Sequence, residues 1–274
     1  MTEAAGWLTV RRGGSPLLVS LPHTGTRIPP ELEARFVSPW LARKDTDWWI
    51  DRLYGFAADL DATLVHTAIS RSVVDVNRDP SGVSLYPGQA TTELCPATTF
   101  DGESLYRPGD APTGAEIEQR RRTWFDPYHA ALAQEIARLR ALHPKVVLYD
   151  CHSIRSAVPR LFEGVLPVFN IGTNVGAACA PELVQTISSA CEASGESWVV
   201  DGRFKGGFIT RRYGDPAAGV HAIQMELACR AYMREVPGPV TQESWPTPFE
   251  PSKAASAIRV LRPVLAALDR FARA

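Results

Sequence analysis

The sequence predicts an α/β fold, and three observations predict it. Lys145-Val146-Val147-Leu148-Tyr149 is a short run of β-branched and aromatic residues behind His143-Pro144, which reads as a buried strand. Residues 16–22 form a similar apolar run closed by Pro22, and in residues 220–227 Ile223, Met225 and Leu227 alternate with Gln224 and Glu226. Ile117, Arg121, Trp124, Phe125, Tyr128, Leu132, Ile136 and Leu139 recur at helical spacing between these runs. Sheets of this class bind ligands beyond the carboxyl ends of their strands. Both His23, in His23-Thr24-Gly25-Thr26, and His152, in Tyr149-Asp150-Cys151-His152-Ser153, fall where a strand meets a loop.

In chain order, residues 31–40 read as a short helix after Pro29-Pro30, and residues 50–57 as another. Asp45, Thr46 and Asp47 sit where helix caps belong, so capping competes with any other role for either carboxylate. Residues 61–68 read as a strand. Next, Arg71, Asp75, Asn77 and Arg78 interleave with Val73, Val74 and Val76. That pattern fits a rigid platform for a small anion, since arginine grips carboxylates bidentately, or an internal Arg–Asp pair bracing a loop.

Residues 81–113, rich in Gly, Pro, Thr and Ser and including Tyr86-Pro87-Gly88-Gln89, read as a binding loop or lid. Thr113-Gly114-Ala115-Glu116 resembles a capping box that opens the long helix, and Pro127 is expected to kink it. His129 reads as a packing or solvent-facing residue on that helix. Beyond His152, Arg155 and Arg160 lie close in sequence. A strand is expected over residues 165–172, a helix over 180–194 introduced by Pro181, and a strand over 198–200. Residues 201–214, with Arg203, Arg211 and Tyr213, read as a flexible cationic loop that lacks the ending and spacing of a P-loop. The tail from 251 to 274 reads as an amphipathic packing helix with Ala255, Ile258, Leu261, Val264, Leu265 and Leu268 inward.

The 274 residues are 45% hydrophobic and 22% charged, and no repeat or boundary interrupts them, so a single domain over 1–274 is expected. A net charge of −1 supplies no general field for nucleic acid. Lysine appears only at Lys44, Lys145, Lys205 and Lys253, and arginine dominates the cations. The amino terminus lacks a secretory pattern and no run of about 18 apolar residues exists to cross a bilayer. A cytoplasmic protein without membrane contact is expected. Its five scattered cysteines read as reduced, mostly buried thiols. Cys151 is a poor nucleophile for His152, because neighbours on an extended segment point to opposite faces.

His23, Asp47 and His152 make a His/carboxylate/His set, and hydrolytic zinc sites are built from three protein ligands plus an open position. Glu226 is then the spare carboxylate that receives a proton. Its alternative role is to neutralise Arg211 or Arg212.

The chain resembles the N-formylglutamate amidohydrolases, or deformylases, of bacterial histidine breakdown over nearly its whole length. The resemblance rests on Leu21-Pro22-His23-Thr24-Gly25, Asp45-Thr46-Asp47-Trp48, Asp75-Val76-Asn77-Arg78, Ser84-Leu85-Tyr86-Pro87-Gly88-Gln89, Asp150-Cys151-His152-Ser153-Ile154-Arg155, Asp201-Gly202-Arg203-Phe204-Lys205-Gly206-Gly207 and Arg211-Arg212-Tyr213-Gly214-Asp215-Pro216. It implies a zinc carboxypeptidase-like, phosphorylase/hydrolase-like three-layer α/β/α domain with a mixed central sheet. It also implies one Zn2+ per chain, cytoplasmic hydrolysis of N-formyl-L-glutamate to formate and L-glutamate, and a monomer or small homo-oligomer. Asn77-Arg78 match the pair that binds the substrate carboxylate in the zinc carboxypeptidases and aspartoacylases, and Arg71, Arg155, Arg203, Arg211 and Tyr213 are further expected contacts. The His-x-x-Glu ligand pair of those relatives is missing, since Thr26 stands at that spacing from His23. The acidic ligand therefore comes from Asp45 or Asp47, with Asp47 preferred because it directly precedes the helix. Trp49 stands where the deformylases carry a His. Hydrolysis of another N-acyl amino acid, or metal-free binding of acidic amino acids, are the alternative functions.

Overall fold

Seven strands form one mixed sheet in the computed structural model, which describes residues 6–85 and 88–274. They are β1 (Leu8–Arg11), β2 (Leu17–Leu21), β3 (Thr63–Thr67), β4 (Val146–Ile154), β5 (Phe169–Gly172), β6 (Trp198–Val200) and β7 (Val220–Ala228), in the order β1-β3-β2-β4-β7-β5-β6. β3, β2, β4 and β7 run parallel. β1 pairs antiparallel with β3, and β5 antiparallel with β7 while parallel to β6. Every residue of β4 and β7 is buried, as central parallel strands covered on both faces require.

The helices are α1 (Pro30–Glu33), α2 (Ile50–Leu53), α3 (Gly114–Arg120), α4 (Asp126–Arg140), α5 (Pro181–Ser194), α6 (Phe208–Tyr213) and α7 (Pro251–Arg273). Strand alternation sorts the core into two layers. Leu17, Val19, Val147, Tyr149, Cys151, Ile223 and Met225 pack with residues of α2, α5 and α7. On the other face Leu18, Val146, Leu148 and Ala222 pack with Tyr128, Leu132, Ile136 and Leu139 of α4 and Ile209 of α6. The fold is thus the expected three-layer α/β/α arrangement. All five cysteines are free and buried, and Cys151 joins the layer opposite His152.

Several expected boundaries shift. β4 continues through Ile154, so His152 lies inside the strand, opposite Glu226 in the parallel pairing. The apolar run stops at Tyr149 only because one face turns polar there. The helix expected over 31–40 is the single turn α1; Pro39 disfavours helical backbone at Ser38, and Phe36 instead bridges to Tyr106 and stacks on it. The helix expected over 50–57 splits into α2 and a 3-10 segment, Tyr54–Leu60. Thr113 and Glu116 form the capping box. Near Pro127 the long helix contains a π turn, Arg121–Phe125, which widens the ladder just before a residue that offers no N–H to it. The last part of the expected cationic loop folds as α6. In α7 the buried stripe is Ala254, Ala257, Leu261, Val264, Leu265, Leu268 and Ala272, with Ala255 exposed and Ile258 partly so. Tyr86 and Pro87, within the expected binding loop, lie outside the described residues, as do residues 1–5.

Candidate metal centre and substrate cavity

Three segments from different parts of the chain meet at the carboxyl ends of β2 and β4. His23 follows β2, its carbonyl accepting the Asp47 N–H at 3.0 Å, and His152 projects from β4. Neither Asp45 nor Asp47 caps a helix: Trp49, with φ 64°, precedes α2, and no side chain caps it. Asp47 Oδ2 instead lies 3.2 Å from His152 Nδ1 and 3.7 Å from His23 Nδ1, and the two Nδ1 atoms are 3.1 Å apart. Asp45 turns away. Its Oδ2 accepts the Phe100 N–H at 2.7 Å, and Arg155 lies 3.7 Å from its Oδ1.

The outer edge of each imidazole is held by a carboxylate. His23 Nε2 is 2.7 Å from Asp75 Oδ1, and His152 Nε2 is 2.9 Å from Asp150 Oδ2. Asp75 also takes a hydrogen bond from Arg71 Nη2 at 2.8 Å, and Asp150 Oδ1 takes one from Ser20 at 2.7 Å. Arg71 therefore does brace its loop through Asp75, and also reaches Asp47 Oδ1 at 3.3 Å. With both Nε2–H groups donating outward, two imidazole lone pairs and a carboxylate oxygen converge on one point, an arrangement that calls for a cation. Ligand atoms about 2.0–2.2 Å from a tetrahedral zinc stand a little over about 3 Å apart, so the residues present fit such an ion. Among the described residues, His23, Asp47 and His152 are the set whose ligand atoms lie within 4.8 Å of one another.

Electrostatics separate the carboxyls. Burial alone would raise Asp47, but the adjacent His152 and His23 imidazoles and the charge of Arg71 hold it well below the usual range. Asp75 is likewise held low against burial by His23, Arg78 and Arg71. Burial opposes charge on His152, yet Asp150 and Asp47 raise its pKa well above the ordinary value, so a metal bound at Nδ1 would displace a proton there. Burial pushes Glu226 up to about 7, with the charge of His152 pulling the other way. A carboxyl near neutrality beside a metal-capable cluster suits a proton acceptor.

Glu226, His23 and His152 border one cavity with Arg71, Asn77, Arg78 and Arg203. Thr92, Phe100, Ile154, Leu161, Phe204 and Gln224 complete much of its wall. Asn77 faces it with an amide nitrogen 3.0 Å from His152 Nε2 and 3.3 Å from Asp150 Oδ2. Arg78 is anchored to the carbonyl and hydroxyl of Thr92, and Arg203 to the carbonyls of Leu161 and Ala90. Three expected contacts stand outside the lining. Arg155 pairs with Asp101 at 2.7 Å, Arg211 donates to the Gly206 carbonyl from α6, and Tyr213 packs against His129.

The model of the N-formylglutamate amidohydrolase family matches residues 15–233. The chain is 49% identical over 229 residues to the N-formylglutamate deformylase of Pseudomonas aeruginosa, covering 83% of this chain and 86% of that protein. The chain belongs to the N-formylglutamate amidohydrolase family. The N-formylglutamate deformylase of Pseudomonas putida is 47% identical over 229 residues, covering 83% and 85% of the two chains. Among solved structures, the N-formylglutamate amidohydrolase from Ralstonia eutropha superposes with a TM-score of 0.79 at 20% identity, over 97% of this chain and 98% of that one. A gene product from Agrobacterium tumefaciens gives 0.70 at 19% identity, over 97% and 96%. At those identities the likeness is one of fold.

For this N-formylglutamate amidohydrolase family member, sequence reasoning missed the outer carboxylate of His152. Asp150 precedes it by two residues, so strand periodicity places both side chains on one face, and that signal was available. Asp75 was legible only as a partner of Arg71, because its approach to His23 depends on how residues 70–78 fold back. Trp49 donates its indole N–H to the Thr247 carbonyl at 3.0 Å and packs against the α7-side core.

Proposed function

We propose that this protein is a zinc-dependent amidohydrolase that cleaves N-formyl-L-glutamate to formate and L-glutamate in the cytoplasm, with residues 1–274 as one catalytic domain. The observation that carries the reading is the convergence of His23 Nδ1, Asp47 Oδ2 and His152 Nδ1 beside Glu226, in a cavity that also holds Arg71, Arg78 and Arg203. The activity named for its relatives agrees with it. His23, Asp47 and His152 would hold the zinc, which when bound polarises the formyl carbonyl and acidifies water. Arg78, braced by Thr92, and Arg203 supply guanidinium groups for the substrate's carboxylates. Asn77 donates to Asp150, the carboxylate that holds His152. Glu226 accepts the proton of the water that attacks the formyl carbon, then delivers it to the nitrogen as the C–N bond breaks, releasing formate and the amine of glutamate.

A substrate panel tests the reading. N-formyl-L-glutamate should be the best substrate, with kcat/KM falling as formyl is replaced by acetyl and then succinyl. Faster turnover of a bulky acyl group would assign the site to another N-acyl amino acid.

A further inference from the structure

We infer that Gln224 is a positioning residue that fixes the carboxylate of Glu226, an inference that rests on Glu226 being the proton acceptor. Strand alternation along β7 puts both side chains on the cavity face, and both are buried. The Gly207 N–H lies 2.7 Å from one end of the Gln224 amide. A backbone N–H can only donate, so that end is the carbonyl oxygen, and the opposite end is the NH2 group. This NH2 donates to Glu226 Oε2 at 3.1 Å. The amide therefore cannot flip without losing both bonds. Oε2 of Glu226 is occupied by a donor, and Oε1 is left as the oxygen that takes up a proton.

Gly207 is itself placed by the metal-side network. A Cβ there would lie 2.3 Å from Asn77 Nδ2, so only glycine allows this approach, and Asn77 Oδ1 accepts the Ile209 N–H at 2.8 Å. Through Asn77 the same loop end touches His152 and Asp150. One short stretch, Gly207 to Ile209, thus sets the general base through Gln224 and, through the Asn77 amide that donates to Asp150, supports the carboxylate behind a proposed metal ligand. The bond from Gln224 to a charged acceptor in a buried site is of the stronger kind.

The test compares Gln224→Met and Gln224→Glu in otherwise intact, zinc-loaded protein, each alone and with Glu226→Gln. Gln224→Met should keep its zinc and its KM for N-formyl-L-glutamate while kcat falls about 10- to 100-fold. Gln224→Glu keeps an acceptor for Gly207 but loses the fixed donor, so on the alkaline side of neutrality it should lose kcat as well. Neither change should lower kcat much further in the Glu226→Gln background. Should Gln224→Met not fold, Gln224→Glu decides. Near wild-type kcat in the folded variants overturns the positioning role, as does an equal loss in the Glu226→Gln background. Glu226→Gln at full kcat would instead overturn the proton-acceptor reading, and this one with it.

Discussion

Asp47 has each of its oxygens committed: Oδ2 faces both imidazoles and accepts the Ser153 N–H at 3.1 Å, and Oδ1 meets Arg71. An asparagine there would direct an NH2 group or a weaker neutral oxygen at the cluster. Asp47→Asn, His23→Ala and His152→Ala should each lose bound zinc together with activity, measured by metal analysis of the purified proteins. Asp45→Asn should retain zinc, and loss of the metal from that variant alone would move the ligand assignment. Spacing could not separate these two carboxylates, because both sit just before α2; only the tertiary fold sends one to the imidazoles and the other to Phe100 and Arg155. Glu226→Gln should stay zinc-loaded and bind substrate while kcat falls by about 10² to 10⁴. An effect confined to KM would make Glu226 a binding group instead.

At the scale of elements, β2, β4 and β7 were legible as strands because their inward residues form apolar runs. The far half of β4 was not, since Asp150 and His152 interrupt the pattern while the opposite face, Cys151 included, stays in the core. Conversely, α6 was concealed by glycines and arginines that look like loop chemistry. Its docking on α4 runs through His129, which lies 2.8 Å from the Val76 carbonyl and 3.0 Å from the Tyr213 hydroxyl. Burial lowers this imidazole from 6.5 to about 4, against the hydrogen bond to Val76 and the charges of Asp150 and Asp126, with Arg212 adding to the depression. Between those values the unfolded chain binds the proton and the folded one does not. Stability attributable to His129 is therefore complete above about pH 6.5 and is lost as pH falls towards 4, by about 3 kcal/mol in all. Denaturant midpoints measured across that range should show this slope for the wild type and a shallower one for His129→Gln. Equal slopes would mean that the imidazole titrates alike in both states.

Across the whole molecule, the mixed sheet separates two tasks. The α2/α5/α7 layer is an apolar slab, whereas on the α4/α6 side the carboxyl halves of the parallel strands carry Asp150, His152, Gln224 and Glu226 in adjacent registers. A polar cluster of that kind is tolerated in a buried place only because each carboxylate finds an imidazole, a guanidinium or an amide. The remaining unmet demand is the convergence of lone pairs between His23, Asp47 and His152. The most direct measurement is formate release from N-formyl-L-glutamate by chelator-stripped protein retitrated with zinc. Activity should be absent at the start and rise in proportion to added metal until each chain holds one ion. Full turnover by the stripped protein, or a metal-loaded protein that releases no formate, would contradict a metal-dependent deformylase.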